Sequence, residues 1–261
     1  MPPPDPRTCS SSCRSSGSSP EVDFGYPTKG LEMVGAGQFF DAREMDMLHR
    51  MFRREFSLMP RVVQSAGNGG QERVDTVADH IDFVADALHG HHGFEDAQVW
   101  PILRERGAVD IVPHVRHVEE QHKEIERAAA ELDEAVTCWR GDATAGGRER
   151  VSAALDRMLP VLLEHMRFEE ENVVPIMEKC IALAEWNQMI QASAAEHLAP
   201  SDMPLMFGMT MYEGDPEIVD AAISNMPAEI GPIIRRTAAQ AFATHAEKIH
   251  GTSTPPRSTQ L

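Results

Sequence analysis

HHGFEDAQVWPIL at residues 91–103 and HMRFEEENVVPIM at residues 165–177 are one pattern written twice. They align without a gap as H-x-x-F-E-[DE]-x-[QN]-V-x-P-I-[LM], and every position is offset by 74 residues. Residues four apart on an α-helix share a face, with Cβ atoms roughly 5–6 Å apart. His91 and Glu95 therefore project together, and His165 and Glu169 do the same. Each pair has a lone histidine upstream: His49 lies 42 residues before His91, and His122 lies 43 before His165. The spacing describes one helical hairpin present twice, whose copies would pack with pseudo-two-fold symmetry.

Around this repeat the chain reads as helix almost throughout. Met45, Leu48, His49, Phe52 and Phe56 recur at three- and four-residue intervals, which predicts a first helix from about Asp41. GNGG at 67–70 ends it, and a second helix is expected from about Gln71 to Arg106. A kink is expected near Pro101, where no amide hydrogen is available. Val118, His122, Ile125, Ala129 and Leu132 mark a third helix over about 113–140. After GDATAGG at 141–147, a fourth runs to about Cys180. Four long helices with short connections predict an all-α, up-down four-helix bundle over residues 38–181. From Ala182 the pattern shortens to stretches near 183–197, 216–223 and 227–249, a C-terminal helical extension over 182–250. Residues 1–37 and 251–261 carry Pro, Ser and Gly with few apolar residues, the composition of disordered tails.

If the lone histidines also face inward, four imidazoles (His49, His91, His122, His165) and two carboxylates (Glu95, Glu169) converge inside the bundle. Six such groups without partners would carry a heavy desolvation cost, which a pair of metal ions removes. Each metal would then take two histidines, both glutamates would bridge, and open positions would remain for small ligands. Imidazole with carboxylate suits iron, manganese or zinc, and the absence of thiolate argues against iron–sulfur chemistry. The register also selects among neighbours. His92 with Asp96 has the same spacing, but its counterpart is Met166 with Glu170. His92, Asp96, Glu170 and Glu171 are therefore assigned to orienting or solvent-facing roles. His80, His89, His114 and His117 fall off the ligand stripe, and His197, His245 and His250 lie in the extension, so all are expected at the surface. Met203, Met206, Met209 and Met211 of MPLMFGMTM are expected to pack against the bundle rather than to bind copper(I).

Hydrophobic residues make up 42% of the 261 and charged residues 25%, ordinary values for a globular protein. Acidic residues outnumber basic ones 41 to 24, for a formal net charge of -17. That surface repels phosphate backbones and anionic lipid, which argues against nucleic acid and membranes as partners. No run of eighteen apolar residues occurs, and the Pro- and Ser-rich start lacks the apolar core of a secretory signal. Cys9, Cys13, Cys138 and Cys180 have no zinc-finger spacing and read as free thiols in a reducing, cytoplasmic compartment.

A lone His, then H-x-x-x-E, a lone His and a second H-x-x-x-E followed by Pro resembles the hemerythrin-like (HHE cation-binding) family over roughly residues 38–180. The ending KIHG is similar to extensions on actinobacterial members. The resemblance implies a bundle holding two non-haem iron ions on His49, His91, Glu95, His122, His165 and Glu169, bridged by carboxylate and by oxo or hydroxo groups. It further implies binding of, and reaction with, oxygen, peroxide or nitric oxide in redox or stress detoxification, with an unknown electron donor. Oxygen-carrying members use five histidines, with H-x-x-x-H on the third helix and H-x-x-x-x-D on the fourth. Here Val118 stands four before His122, and Glu169 follows His165 at four. The second metal thus loses its third histidine and becomes more open, which favours onward reduction over reversible oxygen carriage. No Tyr occurs between Tyr26 and Tyr212, so neither a tyrosinate ligand nor a tyrosyl radical is supported within the bundle. Two alternatives stand beside this reading. One is a sensor or carrier of oxygen, nitric oxide or iron without turnover. The other is ferritin-type iron handling, suggested by the E-x-x-H spacing of Glu119 and His122.

Overall fold

The two copies of the hairpin fold as helices whose ligand candidates meet at one level. The computed structural model describes residues 38–67, 69–107 and 110–261. The expected tail over 1–37, with Cys9, Cys13 and Tyr26, lies outside the described residues. The first hairpin comprises α1 (Arg43–Ala66), α2 (Gly70–Phe94) and α3 (Trp100–Arg106). The second comprises α4 (Ile111–Gly141), α5 (Ala145–Asn172) and α6 (Val174–Cys180). α1 packs on α2 and α5, and α4 packs on the same two, which closes a ring of four. His49 lies near the start of α1, whereas His91 and His165 lie near the ends of α2 and α5, so neighbouring helices run antiparallel. The fold is an all-α helical bundle. Among the described residues, β pairing is confined to one isolated bridge between Phe39 and Ala182.

Both hairpins break just beyond their glutamates, for the same reason. Pro101 cannot donate to the carbonyl of Ala97, and its ring crowds that carbonyl. The helix absorbs the misfit one turn before the expected kink, as a π-helical turn over Glu95–Val99 closed by the Trp100 N–H on the Glu95 carbonyl. In the second copy the break falls at Val173 (φ -111°, ψ -52°), two residues before Pro175. α5 starts where a polar cap allows: the Thr144 side chain accepts from the Gly147 amide at 3.1 Å.

The apolar core is cut into two clusters by the layer between them. The larger packs Phe52, Phe56, Ile81, Leu88, Trp139 and Leu162 among others. The smaller holds Met45, Phe94, Trp100, Val118, Met177 and Trp186. Along each of the four long helices the ligand candidate falls between a residue of one cluster and a residue of the other. On α1, for example, Met45 and Phe52 flank His49.

The extension adds α7 (Leu183–His197), α8 (Met203–Met211), α9 (Pro216–Ser224) and α10 (Gly231–His250). α7 covers the smaller cluster: Trp186 packs at a tilt against Phe40, with ring centroids 4.2 Å apart, and donates from Nε1 to Glu44 at 2.9 Å. α8 is a helix that the sequence pattern does not predict, with Pro204 in its first turn, where the missing amide costs nothing. It lies so close to α10 that a Cβ on Gly208 would sit 2.2 Å from the Ala238 carbonyl oxygen. Met209 is fully buried in the larger cluster, and Met203 and Met211 pack with Ile223 and Ile234.

Residues 251–261 differ from the disordered tail expected of their composition. Gly251 takes a left-handed conformation (φ 72°) and turns the chain back after α10. The Pro255 carbonyl accepts from Tyr212 Oη at 2.8 Å, and Ser258 Oγ donates to Glu213 at 3.0 Å. Buried Glu213 needs donors, and this polar segment supplies them. An apolar-content argument misses such an anchor.

Candidate metal centre

All six sequence candidates are buried and converge in the layer between the two clusters, with His91 the most exposed at 8%. In the first hairpin, His49 Nε2 and His91 Nε2 are 3.2 Å apart. His91 Nε2 lies 3.4 Å from Glu95 Oε1, and His49 Nε2 lies 3.6 Å from Glu169 Oε2. In the second hairpin, His122 Nε2 lies 3.5 Å from Glu95 Oε2, and His165 Nε2 lies 3.5 Å from Glu169 Oε2. Glu95 thus offers one oxygen to the histidines of each hairpin, and one oxygen of Glu169 reaches both sets.

A third imidazole joins the second hairpin's pair. His92 is 7% exposed and stacks on His122, with ring centroids 4.1 Å apart and planes within 16°. It also meets His165 edge-on at 4.9 Å. The ligand atoms of His92, His122 and His165 all lie within 4.8 Å of one another, and so do those of His49, His91, Glu95 and Glu169. The repeat placed His92 outside the site because its counterpart is Met166. The one available signal was the His91–His92 doublet itself, which breaks the repeat just before the π-helical turn.

Hydrogen bonds behind the imidazoles fix which nitrogen faces inward. His49 Nδ1 meets Glu170 Oε1 at 2.9 Å, His122 Nδ1 meets Asp96 Oδ1 at 2.9 Å, and His165 Nδ1 meets Gln121 Oε1 at 3.3 Å. An Nδ1–H donated outward leaves Nε2 with a lone pair aimed at the centre. The acceptors are themselves held: Trp100 Nε1 donates to Asp96 at 2.9 Å, and Arg53 donates to both oxygens of Glu170. Burial opposes ionisation of Glu170, but the bonds from His49 and Arg53 outweigh it and bring the carboxyl to about 2. Gln121 was not singled out from the sequence, since a lone glutamine beside a histidine carries no pattern.

Electrostatics inside the layer favour a cation. Burial, reinforced by the neighbouring imidazoles, holds His91, His92 and His165 well below the usual histidine range, so they are neutral, the ligating form. Burial and then the Glu169 charge push Glu95 well above the usual carboxylate range. Both oxygens of Glu95 and of Glu169, together with Nε2 of His92, His122 and His165, have no hydrogen-bond partner. Each such buried orphan costs roughly 1–3 kcal/mol. Neutral imidazoles and carboxylates without thiolate fit iron, manganese or zinc, and the candidate donor atoms fall into two groups, His49, His91, Glu95 and Glu169 in one and His92, His122 and His165 in the other.

The other sequence candidates lie elsewhere. Glu119 pairs with Arg104 at 2.5 Å rather than entering the centre, which removes the ferritin-like E-x-x-H arrangement. Val118 is fully buried in the smaller cluster. His89, His117 and His197 are exposed as expected, and His114 is half-buried. His80 corrects the surface expectation: it is 1% exposed, and His245 and His250 of α10 are half-buried beside it.

A family model described as the hemerythrin HHE cation binding domain matches residues 41–177, more than half of the chain. No curated protein and no solved structure matches it.

Proposed function

We propose, from the premise that this chain belongs to the hemerythrin HHE cation-binding family, that it is a non-haem di-iron protein that binds and reacts with oxygen, peroxide or nitric oxide. His49 and His91 would hold one iron, His92, His122 and His165 the other, and Glu95 and Glu169 would bridge them. The observation that carries this reading is the set of buried, inward-facing carboxylate oxygens and imidazole nitrogens without partners. A bound iron pair supplies redox electrons and open coordination positions for a small ligand.

The chain's own residues do the rest. Asp96, Glu170 and Gln121 orient the imidazoles, and Arg53 keeps Glu170 ionised as the acceptor for His49. The two apolar clusters shield the layer from water on both sides. His92 crowds the second hairpin's half, which leaves the His49–His91 half as the side for an incoming ligand. Peroxide and nitric oxide assays on iron-loaded protein test this reading. Turnover no faster than that of Glu169→Ala would remove it.

His92 also favours a second reading, a sensor or carrier. A third imidazole on the second half takes away the openness from which turnover was argued. A carrier would form a stable adduct without consuming reductant, and an enzyme would consume it. Small ligands remain the proposed partners. No helix among the described residues is long and apolar enough to cross a membrane. A cytoplasmic location, without nucleic-acid or lipid partners, belongs to the same proposal.

A further inference from the structure

A second buried cluster of histidine and carboxylate lies where the extension meets the bundle. Glu55 comes from α1, His80 from α2 and His250 from the end of α10. Their ligand atoms all lie within 4.8 Å of one another. Glu55 Oε2 is 3.2 Å from His250 Nε2 and 3.3 Å from His80 Nε2. These separations resemble the 3.2 Å between His49 and His91 and the 3.4 Å between His91 and Glu95.

Three further observations point to a cation between them. His80 Nε2 is buried, lies beside a carboxylate and yet makes no hydrogen bond. Its Nδ1 meets His245 Nε2 at 3.0 Å, the outward contact that orients a ligating imidazole. Charge is also unbalanced: buried Glu55 and Glu213 share the single guanidinium of Arg54, which bonds Glu55 Oε1 at 2.8 Å and Glu213 Oε1 at 2.6 Å. Arg54 occupies one oxygen of Glu55 and leaves the other facing the two histidines.

We propose that Glu55, His80 and His250 form a second, mononuclear site for a divalent transition-metal ion, separate from the hemerythrin centre, which fastens α10 to α1 and α2. Two imidazoles and one carboxylate are a donor set for zinc or iron(II), with water completing the coordination. The site does not depend on what fills the dinuclear layer.

Zinc binding to iron-loaded full-length protein tests it, by equilibrium dialysis with elemental analysis of both metals. One added zinc per chain is expected with iron retained, and His80→Ala and His250→Ala should each lose that equivalent while keeping their iron. Zinc should also raise the thermal midpoint of the unsubstituted protein and leave both variants unmoved. If the chain carries no iron, the unsubstituted protein should still hold one more zinc than either variant, which separates this proposal from the di-iron reading. Should the variants fail to fold, cobalt(II) added to the unsubstituted protein is read instead, with visible bands of a nitrogen- and oxygen-ligated ion expected. No extra zinc, an extra zinc that survives both substitutions, or no such cobalt bands would overturn the site.

Discussion

The bundle buries two polar clusters, and they satisfy their polar atoms in different ways. In the layer between the two apolar clusters the carboxylates of Glu95 and Glu169 lack any hydrogen bond, and His49, His122 and His165 each turn a bonded Nδ1 outward. Around Arg54, by contrast, the guanidinium reaches Glu55, Glu213 and the Met209 carbonyl, and Ser258 completes Glu213. Only His80 Nε2 is left over among the side chains of that second cluster. The first region is shaped around a guest, whereas the second mostly holds itself together and ties the extension to the bundle.

The largest expected effect comes from breaking the region around Arg54. Arg54→Met leaves two buried carboxylates without their shared cation and should cost about 3–5 kcal/mol in urea unfolding, with or without bound metal. A loss below about 1 kcal/mol would erase the contrast.

The matching change in the candidate metal layer should act in the opposite direction. Glu95→Gln removes a buried carboxyl whose ionisation folding opposes, so the metal-free protein should gain about 1–3 kcal/mol at neutral pH while losing its capacity to hold metal. The sign follows from linkage. The folded-state pKa of Glu95 is raised, so its destabilisation is absent below the unfolded value and grows as pH rises toward the folded one. The gain from Glu95→Gln should therefore shrink on acidification, which parallel melts at two pH values measure.

Two smaller effects sharpen the comparison. Asp96→Ala should weaken metal affinity by about 10–100-fold, because His122 loses the acceptor that fixes its tautomer, and should lower metal-free stability by about 1 kcal/mol as Trp100 Nε1 loses the same acceptor. Metal loading should also release protons, since the cation displaces the proton that raised Glu95 retains. Calorimetry in buffers of different ionisation heat would show the release, and its absence would mean that Glu95 does not face the ion. The smallest effect belongs to Tyr212→Phe, which removes one bond to the Pro255 carbonyl and should cost about 1 kcal/mol.

The two regions also differ in how far the sequence revealed them. The candidate metal layer was legible because duplication wrote the same His and Glu spacing twice, so a coincidence of single histidines became a register. His92 escaped because it belongs to one copy alone and reaches the layer from the edge of its helix face. Glu55, His80 and His250 are joined by no local period: Glu55 and His250 stand 195 residues apart, and only the packing of α10 brings them together. The same distinction holds for the fold. Periodicity located the four long helices, but Pro204 and Gly208 hid α8, where one fits a first turn and the other a close helix crossing. Residues 251–261 are anchored by buried Glu213 and by Tyr212, partners that composition does not display.

Metal content is the most direct measurement of the central claim. Protein from iron-supplied cells should carry two iron ions per chain with near-ultraviolet absorption from iron–ligand charge transfer, and both should be lost in Glu95→Ala and Glu169→Ala. A chain that binds no iron even after anaerobic reconstitution, or that keeps its iron in both variants, would contradict the dinuclear centre.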